Sequence, residues 1–199
     1  GIIRIDVCAD DVLRIRYAEG SVVPDNATPM ITGAYPPAKS CRINRINNAC
    51  GFQTEKITIA TEAMEISINL NPYSIKIIDL ESGNEIIAGG PEKNNFNNWD
   101  SVNTGLCYSP QYASPVAVES FSLSYDECVY GFGEKFLKLN KVGQTIDLNN
   151  EDALGVITPR TYKNIPFFVS TNGYGVFFNH SSLMTFWLGS MSACNIQVA

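Results

Sequence analysis

The stretch VYGFGEKF (129–136), followed across a polar, acidic loop by YKNIPFF (162–168) and GYGVFFN (173–179), decides how this chain is read. Aromatic and β-branched residues fill a pleated, half-buried surface, and the glycines among them let one backbone approach another closely. Two such stiff blocks flank one exposed loop at 147–155. A scaffold commonly presents its chemistry on a loop held in this way.

The same period-2 pattern extends outward in both directions. Phe121, Leu123 and Tyr125 alternate with Ser120, Ser122 and Ser124 and run into the first block, while Phe186 with Leu188 and Ile196 with Val198 predict further strands after the last. At the start, Ile3, Ile5 and Val7 alternate with Arg4 and Asp6; beyond the Asp10-Asp11 turn, Leu13, Ile15 and Tyr17 alternate with Arg14 and Arg16. That is a hairpin with one buried face. Ile57 and Ile59, then Met64, Ile66, Ile68 and Leu70, then Ile75 and Ile77 predict three more strands, punctuated by Asn71-Pro72 and Ser82-Gly83-Asn84. Turns this short build an antiparallel meander. Residues 20–51, with Pro24, Pro29, Gly33, Pro36 and Pro37, read as a long connection whose basic residues Lys39, Arg42 and Arg45 form a solvated face. No apolar stripe of helical period runs for three turns. The chain is therefore expected to be all-β, a mostly two-layered antiparallel β-sandwich with little helix, forming one domain over residues 1–199.

Composition narrows the class of ligand. Of 199 residues, 45% are hydrophobic and 17% charged, and the net charge is -6. Nucleic acid and anionic membranes need a basic face, so neither is expected as a partner, whereas a neutral ligand such as a sugar is compatible with this balance. No apolar run approaches the roughly 20 residues of a membrane span. No basic-then-apolar signal opens the sequence either, but a start at Gly1 is compatible with a cut end, so that absence proves little; cytoplasmic is the working expectation. The six cysteines show no CxxC spacing. Cys8, Cys128 and Cys194 read as small buried hydrophobes, and Cys41 and Cys50 as candidates to bridge a hairpin in an oxidising setting. His180 is the sole histidine, which argues against a histidine-based metal site. Residues 89–115 place Phe96, Trp99 and Tyr108 among asparagines and aspartate, either as aromatics that stack on a sugar ring or as anchors that fold back on the domain; anchors are the commoner use.

YGFGEKF, LNKVGQTIDLNNED (139–152), YKNIPFF and GYGVFFNH occur in order over most of residues 119–180. Together they resemble the N-terminal, galactose-mutarotase-like β-sandwich of glycoside hydrolase family 31. The likeness is strongest to the α-xylosidase branch and next to the α-glucosidases; VLRIRYAEG (12–20) looks like the family's opening strand. The resemblance implies a retaining α-glycosidase that acts on a terminal α-linked sugar of an oligosaccharide or glycoside through a covalent glycosyl-aspartate, with no cofactor. Both catalytic aspartates of such enzymes belong to a (β/α) barrel that follows the sandwich, and none of that barrel is present here, so this chain alone is expected to be inactive. What the sandwich contributes, by the resemblance, is a loop leaning over the barrel's pocket, which in α-xylosidases reads roughly Trp-Asn-Arg-Asp. Asn150 and Asp152 match its asparagine and aspartate, while Asn149 and Glu151 replace its tryptophan and arginine. Asn150, Glu151 and Asp152 are thus the candidate substrate-binding residues. A carboxylate such as Asp152 accepts charge-assisted hydrogen bonds from sugar hydroxyls; its alternative reading is a turn or cap residue. Tyr162, Lys163 and Asn164 look structural, at the start of a strand on which Ile165, Phe167 and Val169 are expected to point inward and Pro166 to mark an edge or bulge.

The carboxylates give no catalytic pair of their own. Glycoside hydrolysis needs two carboxyl groups facing each other across the bond, and neighbouring loop residues Glu151 and Asp152 diverge. Glu134, beside Lys135, reads as a structural ion pair. A stand-alone carbohydrate-binding module is the alternative. A mutarotase would need a histidine–glutamate pair that one histidine at a strand edge does not supply. N-x-S/T triplets at Asn26 and Asn179 arise often by chance.

Overall fold

The computed structural model describes residues 2–23, 33, 37–51, 53–90, 105–109, 113–153 and 158–199, and among them it contains strands and no helix. The opening alternation folds as the hairpin β1 (Ile2–Ala9) and β2 (Val12–Ala18), with Ile5 opposite Ile15 and Val7 opposite Leu13. The next strands are β3 (Arg42–Asn47), β4 (Thr54–Ala60), β5 (Met64–Leu70), β6 (Tyr73–Asp79) and β7 (Glu85–Gly89), each antiparallel to its predecessor. β8 (Gly105–Ser109) pairs along the first half of β9 (Ser114–Ser122). β10 (Val129–Gly133), β11 (Gln144–Leu148), β12 (Asn164–Ser170), β13 (Gly175–Phe177), β14 (Met184–Leu188) and β15 (Asn195–Val198) complete the described strands.

Ten of these strands form one sheet in the order β11-β14-β15-β9-β7-β6-β5-β4-β3, with β8 attached to β9. Its registers align one apolar row across the sheet. Ile59 faces Ile66, Ile66 faces Ile77, and Ile77 faces Ile87. Farther along, Phe121 faces Ile196, Ile196 faces Leu188, and Phe186 faces Ile146. Because side chains alternate faces along a strand, a shared register puts this whole set on one side.

Two smaller pieces cover that side. The hairpin lays Ile5, Val7, Leu13 and Ile15 over a buried aliphatic cluster of Ile59, Met64, Ile66, Ile68 and Ile75. The three-stranded sheet β10-β12-β13 lays Val129, Phe132 and Phe168 over Ile146, Phe186, Leu188, Ile196 and Val198. Phe132 sits between Phe168 and Phe186, with ring centroids 5.6 and 4.9 Å apart, and Phe178 continues the stack 5.0 Å from Phe186. Each such pair is worth about 0.5–1.5 kcal/mol beyond the area it buries.

The GFG of the deciding stretch explains how that ring gets inside. The register of β10 on β12 slips between Gly131 and Gly133, and Phe132 occupies the slip with φ 69, fully buried. Gly133, at φ 80, lies so close to β12 that an added Cβ would stand 2.1 Å from the Lys163 carbonyl. The neighbouring glycines thus absorb a close approach that no side chain tolerates, and the bulge turns Phe132 into the core. Pro166 lies opposite this slip, so it marks a bulge rather than an edge.

Several expectations need correction. Ile165, Phe167 and Val169 point outward, 52%, 40% and 42% exposed, while Phe168 and Ser170 are buried. Both sets of NIPFFVS contain large apolar residues, so periodicity could not choose between faces; the packing of Phe168 against Phe132 and Tyr174 selects the other one. Tyr125 is wholly exposed, because β9 ends at Ser122 and the chain turns before β10. Within the supposed connection at 20–51, residues 42–47 form β3, an outermost strand with all six residues exposed. Its pairing with β4 supplies the order that its own sequence does not advertise. Cys41 and Cys50 are free, exposed thiols at opposite ends of β3, too far apart along an extended strand to bridge. Cys8 and Cys128 are half-buried, and Cys194 is exposed. Phe96 and Trp99 lie outside the described residues, and Tyr108 on β8 is 65% exposed.

Candidate functional site

The loop that leaves β11 at Leu148 returns to the start of β12 at Asn164, and its described parts are 149–153 and 158–163. Both ends are anchored in the packed part of the fold. β11 pairs with β14 from Gln144 to Leu148, and Asp147 is tied sideways as well, its carboxylate accepting from the Thr185 hydroxyl at 2.8 Å and its carbonyl from Lys135 Nζ at 2.7 Å. On the returning limb Thr161 is buried, 3% exposed.

Short contacts join the two limbs at their base. Asn150 and Thr161 form an isolated parallel bridge, and the Glu151 amide donates to the Thr161 carbonyl at 3.1 Å. The Asn164 side-chain amide donates to the Asn149 carbonyl at 2.8 Å, to Asn150 Oδ1 at 2.7 Å and to the Thr161 carbonyl at 3.0 Å. Its own Oδ1 is buried without a partner among the described residues. A buried acceptor left unmade costs about 1–3 kcal/mol, so the amide's orientation is set by the three oxygens on its other side. Reversed, it would aim its oxygen at all of them.

The three candidate residues fare differently in this frame. Glu151 is committed: one carboxylate oxygen accepts from Asn149 Nδ2 at 2.7 Å and the other pairs with Arg160 Nε at 3.0 Å. Asn150 is half committed, its Oδ1 also accepting the Asn164 backbone amide at 3.3 Å. Asp152 is exposed, and its carboxylate has no hydrogen-bond or ion-pair partner among the described residues. The family resemblance gives Asp152 the leading role among Asn150, Glu151 and Asp152; in the structure Glu151 and Asn150 are held by neighbours while Asp152 is exposed. Asn164, Thr161 and Arg160 were not singled out as site residues. Their signal lies in three-dimensional contact, since the limbs are 14 residues apart where Asn164 meets Asn150.

Other polar groups serve the frame. Glu134 pairs with Lys163 at 2.9 Å on the surface, where the Glu134 hydrogen bond raises the Lys163 ammonium above its ordinary value. At the far end of β12, the buried Glu127 carboxylate accepts from the hydroxyls of Ser170 and Tyr174, from Asn172 Nδ2 at 3.0 Å and from the Ser124 amide at 2.9 Å. Burial, followed by the Glu127 carboxylate, pushes the Tyr174 phenol well up. The His180 ring meets Ser182, Nδ1 to Oγ 2.8 Å. A shallow depression of about 510 Å³ is lined by Asp10, Asp11, Glu62, Asp79 and Glu81, yet no group of histidine, cysteine or carboxylate side chains among the described residues could hold a metal ion. No helix among them is long and apolar enough to cross a membrane.

This architecture has relatives. An α-xylosidase of Lactiplantibacillus pentosus is 43% identical over 79 residues, covering 40% of this chain and 10% of its own length. An α-xylosidase of Emericella nidulans is 43% identical over 98 residues, covering 49% of this chain and 12% of its own. The chain thus spans about a tenth of the length of these curated relatives. Among solved structures, a family 31 α-xylosidase from a soil metagenome, complexed with xylose, superposes with a TM-score of 0.72 over 99% of this chain and 28% of its own at 15% identity, a likeness of fold. The model of the glycosyl hydrolase 31 N-terminal galactose mutarotase-like domain matches residues 2–186, and the chain belongs to that family.

Proposed function

We propose that this chain is the N-terminal domain of a retaining α-glycosidase, an α-xylosidase or α-glucosidase, and that it contributes the Asp152 loop to the substrate site. The observation that carries the reading is the contrast within that loop: Asn149, Asn150 and Glu151 are tied down while Asp152 is exposed and uncommitted. A carboxylate so presented accepts two hydroxyl hydrogen bonds, strengthened by its charge. The catalytic carboxyl pair that hydrolysis requires lies outside this chain, in a barrel on which the sandwich packs. The outward row of Ile165, Phe167 and Val169, with Phe177 beside it, suits such packing, since a sheet apolar on both sides is usually covered on both.

The test is turnover of nitrophenyl α-xyloside and α-glucoside by the longer gene product, by its Asp152→Ala variant and by residues 1–199 alone. Turnover by the long product, a raised KM in the variant and none by the short chain is the expected pattern, and the faster substrate names the branch. Turnover by residues 1–199 alone would overturn it and bring Glu134 forward as a catalytic group. Sugar binding by the short chain with no turnover by either would favour a stand-alone carbohydrate-binding module.

A further inference from the structure

Resting on that reading, we infer that Asn164 is the positioning residue of the substrate loop: it acts on the sugar only through Asp152, by clamping both limbs of the loop. Its one amide group reaches three oxygens, two on the outgoing limb (Asn149 O and Asn150 Oδ1) and one on the returning limb (Thr161 O). Two protons shared among three acceptors, with the amide's own oxygen buried and unpartnered among the described residues, describe a side chain oriented for the loop rather than for itself. Asn164 also sits at the first position of β12, so the clamp is referenced to a strand whose inner residue Phe168 is fully buried. Asp152 lies two residues beyond Asn150, on the limb that the clamp holds. The loop thereby presents its free carboxylate from a rigid element, the condition under which a sugar-binding group keeps its geometry.

Asn164→Asp tests this with almost no change of shape. It replaces the donating amide by an acceptor facing three oxygens at neutral pH, and acidification returns one proton to that site. In the long gene product, measured with nitrophenyl α-xyloside and α-glucoside, Asp152→Ala is expected to lower kcat/KM by about ten- to a hundredfold, the worth of a charge-assisted hydrogen bond. Asn164→Asp should lose a comparable factor at neutral pH, and the loss should narrow as pH falls toward the usual carboxylate range. The double variant should be no worse than Asp152→Ala alone, because two residues acting through one contact are not additive. Losses that multiply in the double variant, or a loss indifferent to pH, would overturn the positioning role while leaving Asp152 in place. If Asp152→Ala has no effect, the underlying reading fails and this inference with it. Asn150→Ala, which removes the Oδ1 that accepts both the side-chain and backbone amides of Asn164, carries the double-variant comparison, though not the pH comparison, if Asn164→Asp does not fold.

Discussion

The β1–β2 hairpin and the β10-β12-β13 sheet lie over the same inner side of the large sheet, the first above an aliphatic cluster and the second above an aromatic one. On the hairpin the opposite face carries charge: Asp6 holds Arg4 at 2.7 Å and Arg16 at 2.8 Å. On the three-stranded sheet the opposite face carries Ile165, Phe167, Val169 and Phe177, all substantially exposed. One cover has a single apolar face, and its other face is polar, with its charges paired. The other has two, and the proposed substrate loop with its Asn164 contacts begins at its edge. An outer surface that resembles an interior is the one expected to meet a partner, and the proposed site adjoins it on this cover.

Three measurements would break or sharpen this contrast. The largest effect is expected from Phe168→Ala, which empties the centre of the aromatic cover where the ring meets Phe132 at 5.6 Å and Tyr174 at 6.3 Å. Denaturant unfolding should show a loss of about 3–5 kcal/mol. A loss below about 1 kcal/mol would mean that the cover is loosely seated. Next, Val169→Ser probes the outer face of the same strand. In residues 1–199 alone it should change stability by no more than about 0.5 kcal/mol, as surface changes do. In the longer gene product, where the face is proposed to be covered, the cost should rise to about 1.5–3 kcal/mol. Equal small costs in both proteins would show that this face meets water in the whole molecule too.

The smallest effect concerns the charged cover. Burial works to raise the Asp6 carboxyl, but the hydrogen bonds and charge of Arg16 and Arg4 outweigh it and hold the group below its ordinary value of 3.8. An acid whose folded-state value is depressed stabilises the fold above its unfolded value, and that contribution is lost as pH falls through the folded value. Asp6→Asn should therefore lower the unfolding midpoint slightly at neutral pH, and the gap from the unaltered chain should close below pH 3.8. A gap that persists in acid would assign the effect to packing instead.

These comparisons also show which parts of the fold the sequence could report. The hairpin and strands β4 to β6 were readable because Arg4, Asp6, Glu65 and Ser67 mark the polar side of each alternation. NIPFFVS has no such marker. Its facing is set by the packing of Phe168 against Phe132 and Tyr174, ring contacts that form only once β10 and β13 lie beside it. β3 escaped notice for the opposite reason, since Arg42, Asn44, Arg45 and Asn47 leave little to bury and its order comes from β4. In the loop, the family resemblance names Asn150, Glu151 and Asp152 as candidates, but the hydrogen bonds made by Glu151, Thr161 and Asn164 leave no trace in the sequence. They depend on contacts between limbs that meet only after β11 and β12 are in place.

The exposed β3 strand has one more consequence. An outermost strand offers unpaired backbone donors and acceptors to any other chain, the usual starting point for polymerisation. Here that strand carries Arg42 and Arg45 on a protein whose net charge is -6. Two copies approaching by this edge would bring like charges together at the line of contact, where repulsion acts at short range even when salt screens the rest of the surface. Like charges at this edge of the described sheet thus work against the pairing of two copies there, by the same physics that makes a charged edge strand a poor template.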